Sequence, residues 1–316
     1  MDALDNSSPK VTFKKLLFFL GILLSVSPLI SEPIALLIGL LIAFFVGHPY
    51  LYLSQKATKY LLQISVVGLG FGMQLDSAIS AGKDGFWFTV ITISATLLVG
   101  IFIGKLLRID KVIAYLVASG TAICGGSAIA AVSPIIKANE KQISVALGIV
   151  FILNAVALFV FPSIGYYFQM TQTQFGLWSA IAIHDTSSVV GAASEFGNEA
   201  LEVATTVKLA RALWIIPLAL VSTFVFKQKS KKIKIPYFIG FFILAMVLNT
   251  YIPVVEENGH YIADLARTGL KLTLFLIGCG LSKKVIKSVG LKPFIQGLIL
   301  WVLIASSTLW AVLTFV

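Results

Sequence analysis

A chain of 316 residues that is 58% hydrophobic and only 12% charged, with a mean hydropathy of +0.96, is a poor candidate for a water-soluble fold and reads as a polytopic membrane protein. Its net charge of +10 would otherwise point to nucleic acid, but the basic residues sit in short clusters between apolar runs, as orientation signals do. Cys124 and Cys279, both in apolar segments, offer neither a disulfide framework nor a metal spacing, so no metal or cofactor is expected.

Apolar windows predict membrane segments near 14–31, 33–47, 57–75, 86–107, 112–133, 142–168, 173–194, 200–226, 235–252, 260–281 and 292–316. The fold class is therefore all-α and polytopic, with about 9–11 transmembrane segments in a single transmembrane domain over 1–316. The first run lacks a small-residue cleavage site and is read as a retained helix. Lys10, Lys14 and Lys15 precede it; Lys56 and Lys59, then Lys105, Arg108 and Lys111, then the lysines of 227–234 and 283–292 follow spans two, four, eight and ten. The intervening loops carry Glu32, Asp76, Asp84, Glu195, Glu199, Glu202, Glu256 and Glu257. This asymmetry places the N-terminus in the cytoplasm and the C-terminus outside.

One loop resists that scheme. If 112–133 crosses completely, Lys137 and Lys141 fall on the outside. If 112–133 instead enters from the cytoplasm and returns, and 173–194 does so from outside, both following loops fall where their composition fits. Each half of such a broken segment has about 11 residues, roughly 16 Å of helix, about half of a ~30 Å hydrocarbon core. The re-entrant reading is preferred to a broken crossing helix, with the two breaks meeting near the midplane. Residues 69–74, Leu-Gly-Phe-Gly-Met-Gln, also align with 277–282, Ile-Gly-Cys-Gly-Leu-Ser, at an offset of 208, and Ser127, Ala131 and Ser133 pair loosely with Ser188, Ala192 and Ser194. Inverted repeats follow, with halves of about 33–168 and 173–316.

Polar residues inside these spans are the candidates for chemistry. Thr121 to Ser127 contain Cys124 and the adjacent Gly125 and Gly126, a poor lipid-facing helix but a good place for exposed amides. His184 and Asp185 are followed by the hydroxyls of Thr186, Ser187 and Ser188, the pattern of a helix N-terminus capable of cradling an anion. Lys208 and Arg211 stand three apart on one helix face near mid-span, where two unpaired cations would cost on the order of 5–7 kcal/mol. With Asp185, and His184 neutral, the buried site carries a net charge of +1 and favours an anionic solute. Asn154 reads as an interhelical hydrogen bond; Asp264, Arg267 and Lys271 form an interfacial stripe; His48 and His260 lack metal spacing.

The stretch from Gly120 to Ala128, the His184-Asp185-Thr186 triplet and the Lys208-Leu209-Ala210-Arg211 element together resemble the YeiH-like sulfate exporter family of bacterial inner-membrane proteins. The resemblance runs from about residue 33 to the end. It implies efflux of an inorganic sulfur oxyanion and a distant likeness to cation/proton antiporter and bile-acid symporter folds. Ser187-Ser188 stand where relatives often carry Ala-Gln, a departure at positions that would bear on substrate identity.

The resulting expectation is a secondary transporter of a small inorganic anion, sulfate or sulfite, and not an enzyme. Cys124, Gly125, Gly126, Ser127, Thr186, Ser187, Ser188, Lys208 and Arg211 would bind substrate, and His184 and Asp185 would couple protons. Its partners are the anion and the lipid bilayer, without nucleic acid; a homodimer is left open. The alternatives are a Na⁺/H⁺ antiporter-like cation transporter and a membrane-embedded enzyme using Cys124 or His184.

Overall fold

The computed structural model describes residues 9–27, 29–47, 49–226, 237–280 and 289–316. His48, the lysines of 227–234, Lys283, Lys284 and Lys287, and Leu281, Ser282 and Ser288 of the glycine repeat lie outside them. Every regular element among the described residues is helical: α1 Pro9–Val26, α2 Glu32–Phe45, α3 Leu51–Leu69, α4 Leu75–Leu106, α5 Lys111–Ala122, α6 Gly126–Val132 and α7 Glu140–Tyr167. Then come α8 Gln172–Ala182, α9 Thr186–Phe196, α10 Asn198–Leu213, α11 Ile215–Val225, α12 Tyr237–Tyr251, α13 Pro253–Gly280 and α14 Leu291–Phe315. Among the described residues, four stretches, Ala78–Leu106, Glu140–Tyr167, Asn198–Val225 and Leu291–Phe315, are long and apolar enough to cross a bilayer.

Several helices begin ahead of their apolar windows, two of them by a wide margin. α4 begins at Leu75 instead of 86 and α13 at Pro253 instead of 260, because Asp76, Lys83 and Asp84, and Glu256, Glu257 and His260, continue the helix where hydropathy fades. The single span expected over 200–226 is interrupted at Trp214. Pro217 has no N–H to give to the Leu213 carbonyl four residues earlier, so α10 ends there.

The chain forms two compact units. The first comprises residues 1–72 and 241–284 and is organised around α13. α13 meets α2 through two glycines: a Cβ on Gly39 would lie 2.1 Å from the Phe275 oxygen, and one on Gly278 would lie 2.2 Å from the Leu36 oxygen. Small residues permit this backbone approach where lipid offers no hydrophobic drive. α3 packs antiparallel on α13, with Ser65 against Gly269, Gly68 against Ala266 and Gly72 against Ala263. The two glycine-repeat helices thus run in opposite directions, as an inverted repeat requires. Arg267 pairs with Asp264 at 3.4 Å and Lys271 donates to the Ser27 carbonyl at 3.3 Å.

The second unit, residues 73–240 and 285–316, is built along α7, whose 28 residues span about 42 Å. Gln142, in the first turn of α7, donates to the carboxylate of Asp110, the N-cap of α5, at 2.9 Å. After α6 the chain turns within residues 133–138, held by Ala138 N–H to the Ser133 oxygen at 2.9 Å. The α5–α6 segment therefore ends where it began. At the opposite end of α7, Tyr166 donates to the Glu195 carbonyl at 3.2 Å. Gln172, opening α8, accepts from the amides of Glu199 and Ala200, and Phe175 stacks on Phe196 with centroids 3.9 Å apart. The α8–α9 segment also returns to its starting end. Both broken segments are hairpins, entering from opposite ends of α7. Lys105, Arg108, Lys111, Lys137 and Lys141 gather at one end; Glu195, Glu199 and Glu202 gather at the other.

Candidate functional site

The hairpins stop when their tips meet. Gly125 adopts φ +62° and ψ −121°, a region that favours glycine, and closes the turn with its N–H on the Gly120 oxygen at 2.8 Å. A Cβ there would lie 2.9 Å from Val150 and 3.5 Å from the Cα of Asp185. Asp185, Lys208 and Arg211 are the charged neighbours of the Cys124 sulfur. The second tip is fixed from α7: Asn154 Oδ1, at the midpoint of that helix, accepts the amides of His184 at 3.1 Å and Asp185 at 3.3 Å. Asp185 caps α9 through the Ser187 amide at 3.1 Å and also accepts the Ser187 hydroxyl.

Both cations reach these tips and are fully buried. Lys208 Nζ donates to the carbonyls of Ile123 at 3.0 Å, Ala180 at 3.2 Å and Ile183 at 2.7 Å. These oxygens close α5 and α8, so one ammonium meets the negative ends of both inbound half-helices. Arg211 donates to the Ala122 carbonyl at 2.6 Å and to Thr92 Oγ1 at 2.8 Å, and the Thr92 hydroxyl in turn donates to the Phe88 carbonyl. The cations thus bind helix C-termini, while the first turns of α6 and α9 lie across the breaks.

Half-charges of the four helix ends offset one another in sign. Two cations and the Asp185 carboxylate then leave the cluster with a net charge of about +1. Several buried polar atoms framing it have no partner among the described residues: Thr121 Oγ1, Asn154 Nδ2, both His184 ring nitrogens, Thr205 Oγ1 and Arg211 Nε. Buried polar groups in native proteins are nearly always hydrogen-bonded, so these are the atoms that a bound solute or water would satisfy. Every residue in this set can donate.

The structure brings Cys124, Gly125, His184, Asp185, Lys208 and Arg211 together. Thr186, Ser187 and Ser188 form the buried first turn of α9, whereas Gly126 is half-buried and Ser127 is exposed. Thr92 is a contact that sequence reasoning passed over; its signal was a hydroxyl recurring as Thr89, Thr92 and Thr96 in an apolar helix. His260 lies against Tyr261 in the first unit, ring centroids 3.9 Å apart and the planes tilted by 39°, and Cys279 is buried there.

The family described as conserved hypothetical protein 698 matches residues 12–297. Relatives described as UPF0324 membrane proteins are 55% identical in Bacteroides thetaiotaomicron, over 95% of this chain and 91% of the relative, and 55% identical in Porphyromonas gingivalis, over 89% and 86%. Another, in Bdellovibrio bacteriovorus, is 49% identical over 98% of this chain and 97% of its own. No solved structure matches. A profile match over most of the chain and relatives at this identity place the protein in one lineage: it belongs to the conserved hypothetical protein 698 family, the YeiH-like UPF0324 membrane proteins.

Proposed function

We propose that this protein is a secondary transporter, not an enzyme, that carries a small inorganic anion outward across the bacterial inner membrane, with sulfate or sulfite as substrate and protons as the coupling ion. The observation that carries the reading is the set of unpartnered donor-bearing groups around a buried cluster of net positive charge: Thr121, Asn154, His184 and Arg211. A tetrahedral or pyramidal oxyanion accepts from many directions at once, and its charge offsets the excess cation in a low-dielectric setting. Thr186, Ser187 and Ser188 add the positive end of the 11-residue helix α9.

Lys208 and Arg211 take a different part in this reading from direct ligation alone. Their hydrogens neutralise the carbonyl ends of α5 and α8 and supply the field that attracts the solute. His184 can bind or release a proton as the anion arrives, with Asp185 as the adjacent acid. The basic end of α7 faces the cytoplasm in this reading, and the acidic end faces outward.

The test is uptake of radiolabelled sulfate and sulfite into proteoliposomes, with and without an imposed pH gradient. Saturable, gradient-dependent flux is expected; absence of flux for both anions would overturn the assignment. A Na⁺/H⁺ antiport reading draws on one observation: all three hydrogens of Lys208 are engaged by carbonyls, leaving a carboxylate at the tips. Sodium-dependent pH changes in everted vesicles without any oxyanion would favour it.

A further inference from the structure

A second feature lies at the basic end of the second unit, away from the hairpin tips. α4 and α5 approach closely there because Gly100 and Gly104 face Ala118 and Ala114: added Cβ atoms would lie 2.5 and 2.4 Å from those alanine methyls. Beside this contact is a cavity of about 360 Å³, walled by Ile101, Ile109, Tyr115 and Val225, with Lys105 and Lys111 among its lining. We propose that this groove holds one anionic phospholipid, its acyl chain against the apolar wall and its phosphate between the two lysines.

The wall offers nothing to a polar solute. Tyr115 donates its hydroxyl to Ser222 at 2.8 Å, and Ser222 donates onward to the Leu218 carbonyl, so both are satisfied. The rim is different. Lys105 and Lys111 are exposed, and among the described residues neither has a carboxylate partner. Lys111 Nζ is held 4.9 Å from the ring centre of Phe226, beside Val225. Asp110, the adjacent acid, keeps its charge but accepts from the amides of Val112 and Ile113 and from Gln142 and bridges neither lysine, so two cations against one carboxylate leave the rim net positive. A dry apolar slot with an unpaired double cation at its mouth matches an amphipathic anion. A neutral lipid would leave the lysines unused, and inorganic phosphate would leave the slot unused.

The experiment uses full-length protein in mild detergent and native mass spectrometry, titrating phosphatidylglycerol against phosphatidylcholine of identical acyl chains. Retention of one phosphatidylglycerol is expected, with the Lys105→Ala/Lys111→Ala variant losing at least about tenfold of that retention. Val225→Trp, which fills the slot and leaves both lysines, should lower retention while the protein elutes as wild type. Equal retention of the two lipids, or retention unchanged in both variants, would overturn the proposal. Displacement of the lipid by millimolar inorganic phosphate would also overturn it, by reducing the site to a headgroup contact. None of these outcomes depends on transport.

Discussion

The ammonium of Lys208 lies 2.7 Å from the carbonyl oxygen of Ile183 and 3.0 Å from that of Ile123, so one side chain of α10 ties together two hairpins that arrive from opposite ends of α7. Backbone that leaves helical geometry at this depth must find its partners inside the protein. Lys208 supplies them for the carbonyls, and Asn154 supplies them for the amides of His184 and Asp185.

Replacing Lys208 by Met keeps the length and removes the charge. Three buried carbonyls would lose their donor, at about 1–3 kcal/mol each when unsatisfied. The expected outcome is a melting temperature in detergent lowered by several degrees or more, together with loss of transport. A Met variant as stable as wild type would show that the ammonium does not hold the tips.

Arg211 makes two contacts in different directions, to Ala122 and Thr92, which a lysine cannot reproduce as a fork. Arg211→Ala should abolish flux while the protein still inserts in the membrane. Arg211→Lys should retain measurable stability but lower flux by about tenfold or more, since each lost charge-assisted hydrogen bond is worth roughly 1.5–3 kcal/mol. Flux unaltered in the Ala variant would remove Arg211 from the site.

At Asn154 the acceptor is what matters. Asn154→Leu would orphan the His184 and Asp185 amides and should destabilise by about 2–4 kcal/mol, whereas Asn154→Asp preserves an acceptor and should lose less. Chemical denaturation of the two variants side by side provides the comparison; equal losses would refute the assignment.

Gly125→Ala places a methyl in a backbone region hostile to side chains and within 2.9 Å of Val150. A cost of about 1–3 kcal/mol is expected. Val150→Ala in the same background should recover only the steric part, and full recovery would argue against backbone strain.

Topology can be read by labelling. In a Cys124→Ser/Cys279→Ser background, cysteines at positions 105 and 137 should react with an impermeant reagent from one side of the membrane, and cysteines at 173 and 199 from the other. Labelling of 105 and 137 from opposite sides would mean that the first broken segment crosses.

Much of this was legible because electrostatics leave traces in one dimension. Lys137 and Lys141 disagreed with a fully crossing 112–133 segment, and hairpin geometry brings them back to the end that holds Lys105 and Lys111. Lys208 and Arg211 stood out as cations in an apolar run, and both are buried at the breaks. Which polar groups they meet was not legible, because carbonyls carry no residue identity: Ile123, Ala180 and Ile183 look like ordinary lipid-phase residues. The same limit hid Thr92. The break at Trp214 could have been read from Pro217, but hydropathy averages over a missing N–H.

The paired hairpins carry a consequence for biogenesis. A segment that leaves and rejoins the same face adds nothing to the tally of crossings, so the orientation of every later helix is indifferent to whether that segment has yet found its place. The two broken segments can therefore settle without turning any later helix around, held by the amide and carbonyl partners that Asn154 and Lys208 provide.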